Sequence, residues 1–175
     1  MLDAKAVNFG IIYGISPHGL SQNLGISRNK AKEIIDSYFN EFKGVKKYMD
    51  FLIEEARNYE FAKTIFNRKR LLRNINSKNY VLKSFEERIA INMPIQGTAA
   101  DIIKIAMKHV HDAFKEQNFQ SKMLLQVHDE LVFDVYKSEL DILKSLIKDN
   151  MEQAVSLTVP LDVQLGQGLN WLEAH

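Results

Sequence analysis

Three side chains near the start of the chain have the types and spacing of a surface that binds phosphates and rings. Lys5, Phe9 and Tyr13 are four residues apart, which places them on one face of a helix over a rise of about 12 Å. An ammonium group suits phosphate oxygens, and aromatic rings can pack on a sugar and a base. The spacing alone favours a plainer interpretation, an amphipathic helix with both rings in a core.

A second polar group separates two apolar runs. His128, Asp129 and Glu130 lie between 123–127 and 131–135, and each run has the pattern of a buried strand. So short a connection predicts an antiparallel hairpin with carboxylates at its tip. Hard cations such as Mg²⁺ bind one or two carboxylates together with substrate phosphates. A polar turn is the alternative, because Asp is common in turns.

A third group flanks a proline in the middle of the chain. Asn92 and Gln96 lie on either side of Pro94. A long helix predicted over about 83–117 should kink there, because proline cannot donate the helical hydrogen bond. Small residues after the kink would let a ligand approach closely, but Thr98 is equally explained as a cap of the next helical run.

The elements that must position these groups change in kind along the chain. Apolar spacing and Ser or Pro start signals predict four early helices, 4–14, 17–24, 28–39 and 45–59. A basic strand or hairpin follows around Asn67, and the long helix and the carboxylate hairpin come next. A helix capped by Ser138 and a strand over 161–165 complete an α+β protein with two lobes.

Charge is segregated along the chain although the net charge is only +1. Residues 1–88 hold 16 Lys and Arg against 10 Asp and Glu, a net of +6, whereas residues 89–175 hold 7 against 12, a net of −5. Seven basic residues and no acidic one lie from Lys63 to Lys83. A polyanion partner would explain this segment, but a charge run alone favours a solvated loop.

The composition excludes several classes of protein. The chain has 175 residues, 46% of them hydrophobic and 26% charged, which argues against a disordered tail or a fibrous repeat. Without cysteine there is no disulfide framework, thiolate metal site or cysteine nucleophile. No apolar run approaches the roughly 18 residues that a membrane span needs. We therefore expect a cytoplasmic protein with no membrane partner.

Three motifs together resemble family A DNA polymerases. A-K-A-V-N-F-G-I-I-Y-G, N-M-P-I-Q-G-T-A-A-D and Q-V-H-D-E occur here in the family's order, at 4–14, 92–101 and 126–130. The resemblance covers essentially the whole chain and corresponds to the C-terminal fingers and palm of the bacterial enzymes. It implies fingers helices in 1–60 and a palm portion in 61–175, with the basic hairpin, long helix, catalytic hairpin and C-terminal helix and strand.

The resemblance also implies template-directed transfer of a nucleotide from dNTP to the primer 3′-OH, with primer–template DNA as partner. Lys5 would bind the triphosphate and act as general acid toward the pyrophosphate. Phe9 would pack on the sugar, and Tyr13 would lie beside the base pair.

The hairpin would carry the metal chemistry of that reaction. Asp129 would be a ligand of two Mg²⁺ ions, Glu130 would support the metal site, and His128 would lie at the primer terminus. Phosphate contacts by a basic stretch give affinity without sequence preference. The remaining DNA-contacting residues that the resemblance implies are Arg70, Lys83, Asn92 and Gln96.

Some features depart from the family pattern. The family pattern has an Arg that would contact the triphosphate at the position where this chain has Met1. Its metal-binding Asp of an earlier palm motif would lie before residue 1. We therefore expect a fragment that folds at least partly, does not polymerise alone and self-associates through its exposed palm surface. Asn67 replaces a usual Gly, and Arg73 and Asn74 occupy positions where a Pro is common.

Two other classes of function compete with a polymerase. One is a non-catalytic DNA-binding module that uses the basic stretch and a degenerate carboxylate turn. The other is a metal-dependent hydrolase built on His128, Asp129 and Glu130, which needs more ligands than the chain offers at recognisable spacing.

Overall fold

The computed structural model describes residues 4–174, except for the side chains of residues 5 and 6. The chain divides into two compact units, with the boundary between Thr98 and Ala99. Helices account for 59% of the residues, and the strands form two small antiparallel hairpins. The α+β class is confirmed, whereas the boundary between fingers and palm near residue 60 stays a prediction.

The first unit begins with four helices whose ends follow local signals. Ser16 accepts a hydrogen bond from the backbone N–H of Gly19, Gly25 ends the second helix with a φ of 62°, and Ser27 caps the third. The predicted starts at Pro17 and Arg28 are confirmed. The bounds are α1 Ala4–Ile12, α2 Pro17–Leu24, α3 Arg28–Glu41 and α4 Lys43–Tyr59.

The predicted basic hairpin is present. Strands β1 (Phe61–Lys63) and β2 (Lys69–Leu71) pair antiparallel. Asn67 lies in the turn with a φ of 63°, a left-handed conformation that Asn tolerates better than most residues. This explains how Asn can replace the family's Gly here. Beneath the hairpin, a core cluster contains Ala56, Ala62, Leu72, Ile75, Ala90 and Met93.

The long helix is divided into three parts, as the proline predicts. Helix α5 (Tyr80–Asn92) leads into a π-helical turn (Met93–Gly97), and α6 (Thr98–Glu116) follows. Helix α5 starts three residues earlier than predicted, because the Asn79 side chain caps it.

The second unit contains the predicted carboxylate hairpin, but its first strand is mostly exposed and not buried as predicted. Strands β3 (Lys122–Val127) and β4 (Glu130–Asp134) pair antiparallel, with a bulge between Met123 and Leu125. Phe133 of β4 packs on a buried cluster contributed by the two neighbouring helices. This cluster consists of Val110, Phe114, Leu143 and Ile147.

Two predictions about the last part of the chain are wrong. Helix α7 (Leu140–Glu152) follows Glu139 and has no side-chain cap, so Ser138 does not cap it. Residues 161–165 form no strand, because the described strands pair only within the two hairpins and an isolated strand leaves its backbone groups without partners. A short helix, α8 (Trp171–Ala174), was not predicted. No helix within residues 4–174 has the length and apolar character to cross a bilayer.

Candidate functional site

Phe9 of α1 and Tyr13, in the turn that follows this helix, form a stacked pair of aromatic rings. The centroids of Phe9 and Tyr13 are 6.1 Å apart and their planes differ by 28°. Phe9 is 49% exposed, whereas Ile11 of the same helix is buried. An amphipathic helix with both rings in a core therefore does not fit Phe9. The backbone of Lys5 belongs to the same helix, but its side chain lies outside the described residues.

The end of α1 lies against α5. Gly14 has a φ of 74°, and a Cβ there would lie 3.4 Å from Cγ of Arg88 and 3.4 Å from Cδ1 of Ile91. Glycine therefore suits the left-handed turn, and a Cβ at this position would be in ordinary contact with α5. No role for Arg88 was predicted from the sequence. Arg88 is exposed, and its side chain lies within contact distance of Gly14, which follows Tyr13, so Arg88 belongs to this surface.

A buried hydrogen-bond acceptor lies at the last residue of α5, directly before the π-helical turn. Oδ1 of Asn92 is buried and has no hydrogen-bond partner among the described residues. Leaving a buried acceptor unpaired costs about 1–3 kcal/mol, so a ligand that donates a hydrogen bond there would be stabilised. Gln96 is exposed in the π-helical turn, an element that frequently occurs at functional sites.

The basic segment is an ordered surface and not a long solvated loop. Arg70 is exposed on β2, and Lys83 is half-buried in the first turn of α5. The ammonium group of Lys69 lies 4.3 Å from the ring centroid of Phe61, which supports its position by a cation–π contact. The remaining exposed basic residues of the segment are Lys63, Arg68, Arg73 and Lys78.

The turn of this hairpin is held against the π-helical turn. The backbone N–H of Ile65 donates to Oγ1 of Thr98 at 3.2 Å, and the Arg68 guanidinium donates to the Gly97 carbonyl at 2.9 Å. A Cβ on Gly97 would lie only 2.8 Å from Cγ2 of Thr64. These positioning residues were not identified from sequence, although Gly97 and Thr98 lie within a motif that carried the family resemblance.

The tip of the β3–β4 hairpin brings the three remaining predicted residues together. Val127 pairs with Glu130, which leaves a two-residue turn of His128 and Asp129. His128 has a φ of 53°, and Nε2 of Gln126 donates to its carbonyl at 2.8 Å. Asp129 is exposed and Glu130 is half-buried.

The carboxylates at this tip fit part of a magnesium site. An exposed Asp129 and an adjacent Glu130 offer hard oxygen ligands, and Mg²⁺ commonly takes one or two carboxylates together with substrate phosphates and water. Within the described residues, no group of three or more His, Cys, Asp or Glu side chains is arranged to hold a metal ion. The tip can therefore contribute ligands to a shared site and is not a closed protein cage.

The fold and these motifs define a class of protein. The sequence profile of DNA polymerase family A matches residues 2–173, and the chain belongs to that family. Members of the family generally use a divalent metal ion. The particular roles of the site residues named above stay predictions.

The relatives of the chain include bacterial DNA polymerase I enzymes. That of Streptococcus pneumoniae serotype 4 is 54% identical over 172 residues, which cover 98% of this chain and 20% of the relative. That of Bacillus subtilis is 48% identical over 171 residues, covering 98% of this chain and 19% of the relative. The chain spans about a fifth of the length of these curated relatives.

A solved structure has the same fold over almost the whole chain. It is the POL domain of Pol1 from M. smegmatis, in complex with DNA primer-template and dNTP. The TM-score is 0.93 at 42% sequence identity, and the match covers 97% of this chain and 30% of that chain.

Proposed function

We propose that the chain forms the nucleotide-binding and metal-binding part of a DNA-directed DNA polymerase, which adds dNTP to a primer 3′-OH in the cytoplasm. The match to a polymerase domain solved with primer-template and dNTP carries this proposal, because it extends over 97% of the chain. The exposed Phe9 ring, stacked on Tyr13, and the exposed carboxylate of Asp129 are consistent with it.

The residues of the first unit would bind the substrates. Lys5 would contact the triphosphate and donate a proton to the departing pyrophosphate oxygen. Phe9 would pack on the sugar, and Tyr13 would orient the new base pair with its ring. Phosphoryl transfer depends mainly on such positioning and on neutralisation of charge.

The first unit would also hold the primer–template. Asn92 and Gln96 would hydrogen-bond DNA near the insertion site, and the unpaired Oδ1 of Asn92 supports this role because a ligand donor would satisfy it. Arg70 and Lys83 would contact backbone phosphates.

The hairpin tip would supply metal ligands and contact the primer. Asp129 would hold Mg²⁺, Glu130 would support the site, and His128 would lie at the primer terminus. A magnesium pair bound there would neutralise charge on the attacking and leaving oxygens. The geometry of the tip, with Asp129 in a two-residue turn, leaves that carboxylate accessible to ligands from outside the hairpin.

A chimeric enzyme tests the proposal. This chain replaces the matching 172 residues of the S. pneumoniae polymerase, and Asp129→Ala is then introduced. We expect primer extension to fall at least about a hundredfold, because a ligand of the charge-neutralising metals is lost. The Kd for primer–template should change less than about twofold, since phosphate contacts by basic residues dominate DNA affinity.

The control is Asp134→Ala, which removes an exposed carboxylate from the other end of the same hairpin. It should leave extension close to that of the parent chimera. Full extension after Asp129→Ala would contradict the metal-binding role of Asp129. An unsubstituted chimera that binds primer–template but does not extend it would favour a non-catalytic DNA-binding module. Primer extension by the 175-residue chain alone would contradict the expectation that it does not polymerise by itself.

We also propose that the isolated chain self-associates. Leu124 of β3 is 56% exposed and Leu125 is exposed beside it, and the strands of a two-stranded sheet have unpaired edges that can template pairing. Size-exclusion chromatography with light scattering should give a mass above 20.2 kDa that rises with concentration. A monomer at every concentration would remove this proposal.

A further inference from the structure

A carboxylate lies on the buried face of α5. Glu86 is 9% exposed and shares one helical stripe with Ala90 and Met93, both of which belong to the core cluster beneath the basic hairpin. Burying a charged group there is unfavourable unless hydrogen bonds compensate for the lost water. Glu86 therefore needs partners that the surrounding structure must supply.

Both oxygens of this carboxylate bind one residue of the loop after β2. The backbone N–H of Asn74 donates to Oε2 at 2.7 Å, and the Asn74 side-chain amide donates to Oε1 at 3.2 Å. Two bonds between the same pair of residues fix orientation as well as distance. Nearby, the side chain of Asn76 donates to the Arg57 carbonyl at 3.0 Å, and Arg57 forms an ion pair with Glu87.

This Glu86–Asn74 clamp joins two parts of the basic surface. Asn74 directly follows Arg73 and is four residues after Arg70, whereas Glu86 is three residues after Lys83. The clamp therefore ties the loop that leaves the basic strand to the helix that carries the next basic side chain.

The charge of Glu86 makes its position informative. The segment from Lys63 to Phe85 contains no acidic residue, and Glu86 is the first acid after it. Next to a surface that binds a polyanion, a carboxylate weakens binding by simple electrostatics. The Glu86 carboxylate is buried, however, and accepts its hydrogen bonds from Asn74. We therefore expect Glu86 to support the structure of the basic surface.

We propose that Glu86 is a positioning residue that holds Arg70, Arg73 and Lys83 in the arrangement that contacts DNA phosphates. The inference rests on the proposed function and adds a residue to it. It also gives a role to Asn74, which departs from the usual family pattern at this loop: its side-chain amide supplies the second donor of the clamp.

Salt-dependent DNA binding by the whole 175-residue chain tests this role. The variant is Glu86→Gln. The N–H group of its side-chain amide would face one of the two N–H donors of Asn74, so that one hydrogen bond of the clamp would be lost. Binding of a fluorescent primer–template is measured between about 50 and 200 mM salt, since the slope of log K against log salt counts the phosphates that are neutralised. We expect the Kd to rise about three- to tenfold, and the slope to become shallower by about one phosphate contact.

Two other variants separate positioning from charge. Glu60→Gln removes an equal charge from an exposed side chain next to the hairpin and should bind DNA slightly more tightly than the wild type. The double variant Asn74→Asp with Glu86→Gln exchanges amide and carboxylate across the clamp. It keeps the same number of donors and acceptors, so we expect it to recover most of the lost affinity and slope.

The possible outcomes have different meanings. A Glu86→Gln chain that binds more tightly would overturn the inference, because only charge would then matter. Weaker binding with an unchanged slope would also overturn it, since a smaller folded fraction lowers apparent affinity equally at every salt concentration. A wild-type chain that does not bind primer–template would overturn the proposed DNA-binding role itself, and the inference with it.

Discussion

The two hairpins are attached to the rest of the protein in different ways: the first at its turn, and the second at the open end of its strands. The turn of β1–β2 is attached to the first residue of α6 by the hydrogen bond from Ile65 to Thr98, and to the π-helical turn by the hydrogen bond from the Arg68 guanidinium to the Gly97 carbonyl. The β3–β4 hairpin is fastened at its open end instead. There the Ser121 hydroxyl donates to Glu139 at 2.5 Å and accepts from the backbone N–H of Tyr136.

The difference matches what each hairpin would bind. A surface that binds backbone phosphates has a higher affinity when its side chains are already ordered before binding, because ordering them on binding costs free energy. A tip that shares a metal ion with substrate must leave its carboxylate accessible. The exposed Asp129, with its neighbour His128 held by the local bond from Gln126, meets that requirement.

The largest effect should come from breaking the attachment of the first hairpin. Gly97→Ala would place a Cβ 2.8 Å from Cγ2 of Thr64, a short and buried side chain that cannot move aside. We expect the free energy of unfolding to fall by about 1–3 kcal/mol, the usual cost of overpacking. Chemical denaturation of the 175-residue chain measures it.

Gly44→Ala is the matched control. Gly44 lies in the first turn of α4, and a Cβ there would meet nothing within 4 Å. The substitution should leave stability unchanged or raise it by up to about 1 kcal/mol, because Ala has the higher helix propensity. Equal destabilisation by both substitutions would contradict the close packing of the hairpin turn on Gly97.

A smaller effect, with a different signature, is expected at the tip of the second hairpin. His128 adopts a φ of 53°, a conformation that Gly adopts without strain. His128→Gly should therefore change the free energy of unfolding by less than about 1 kcal/mol. In the chimeric polymerase it should nevertheless lower primer extension, because the proposed contact of the His128 side chain with the primer terminus would be lost.

Asn118→Gly provides the comparison for that substitution. Asn118 has a φ of 55° in an exposed loop of the same unit. The two variants should have similar stability, and only His128→Gly should lose primer extension. Equal extension by both would argue against a role for His128 beyond the turn.

Elements that depend on neighbouring residues could be predicted from the sequence. Ser16 and Ser27 act as caps through donors three residues away, and the carboxylate hairpin is specified by two apolar runs and a short connection. The motifs also indicated the exposed Asp129, because a carboxylate at such a tip needs solvent or a cation.

Features that depend on distant parts of the chain could not be predicted in this way. Residues 161–165 have the alternation of a strand but no strand to pair with among the described residues. Glu86 and Asn74 are twelve residues apart, and nothing in either residue type indicates that they bind each other. Ser138 was a reasonable cap by type, whereas Glu139 beside it binds Ser121 and the N–H of Gln120.

The smallest predicted effect concerns the open end of the second hairpin and depends on pH. The Ser121 hydroxyl, and after it the backbone N–H of Gln120, hold the pKa of Glu139 below its ordinary value of 4.5. A group whose pKa is lower in the folded state stabilises the protein above its unfolded pKa, and that contribution disappears as pH falls through the folded pKa. Ser121→Ala should thus lower the Tm by a few degrees near neutral pH, with a smaller difference from wild type below about pH 4.

Ser138→Ala separates this effect from the loss of any nearby hydroxyl, because Ser138 is exposed and caps no helix. Its Tm should follow that of the wild type at every pH. Ser121→Ala also removes the acceptor for the N–H of Tyr136, so part of its deficit should persist in acid. A deficit that is constant from neutral to acidic pH would mean that the ionised Glu139 contributes nothing to fastening this hairpin, and that the bond to Tyr136 alone does so.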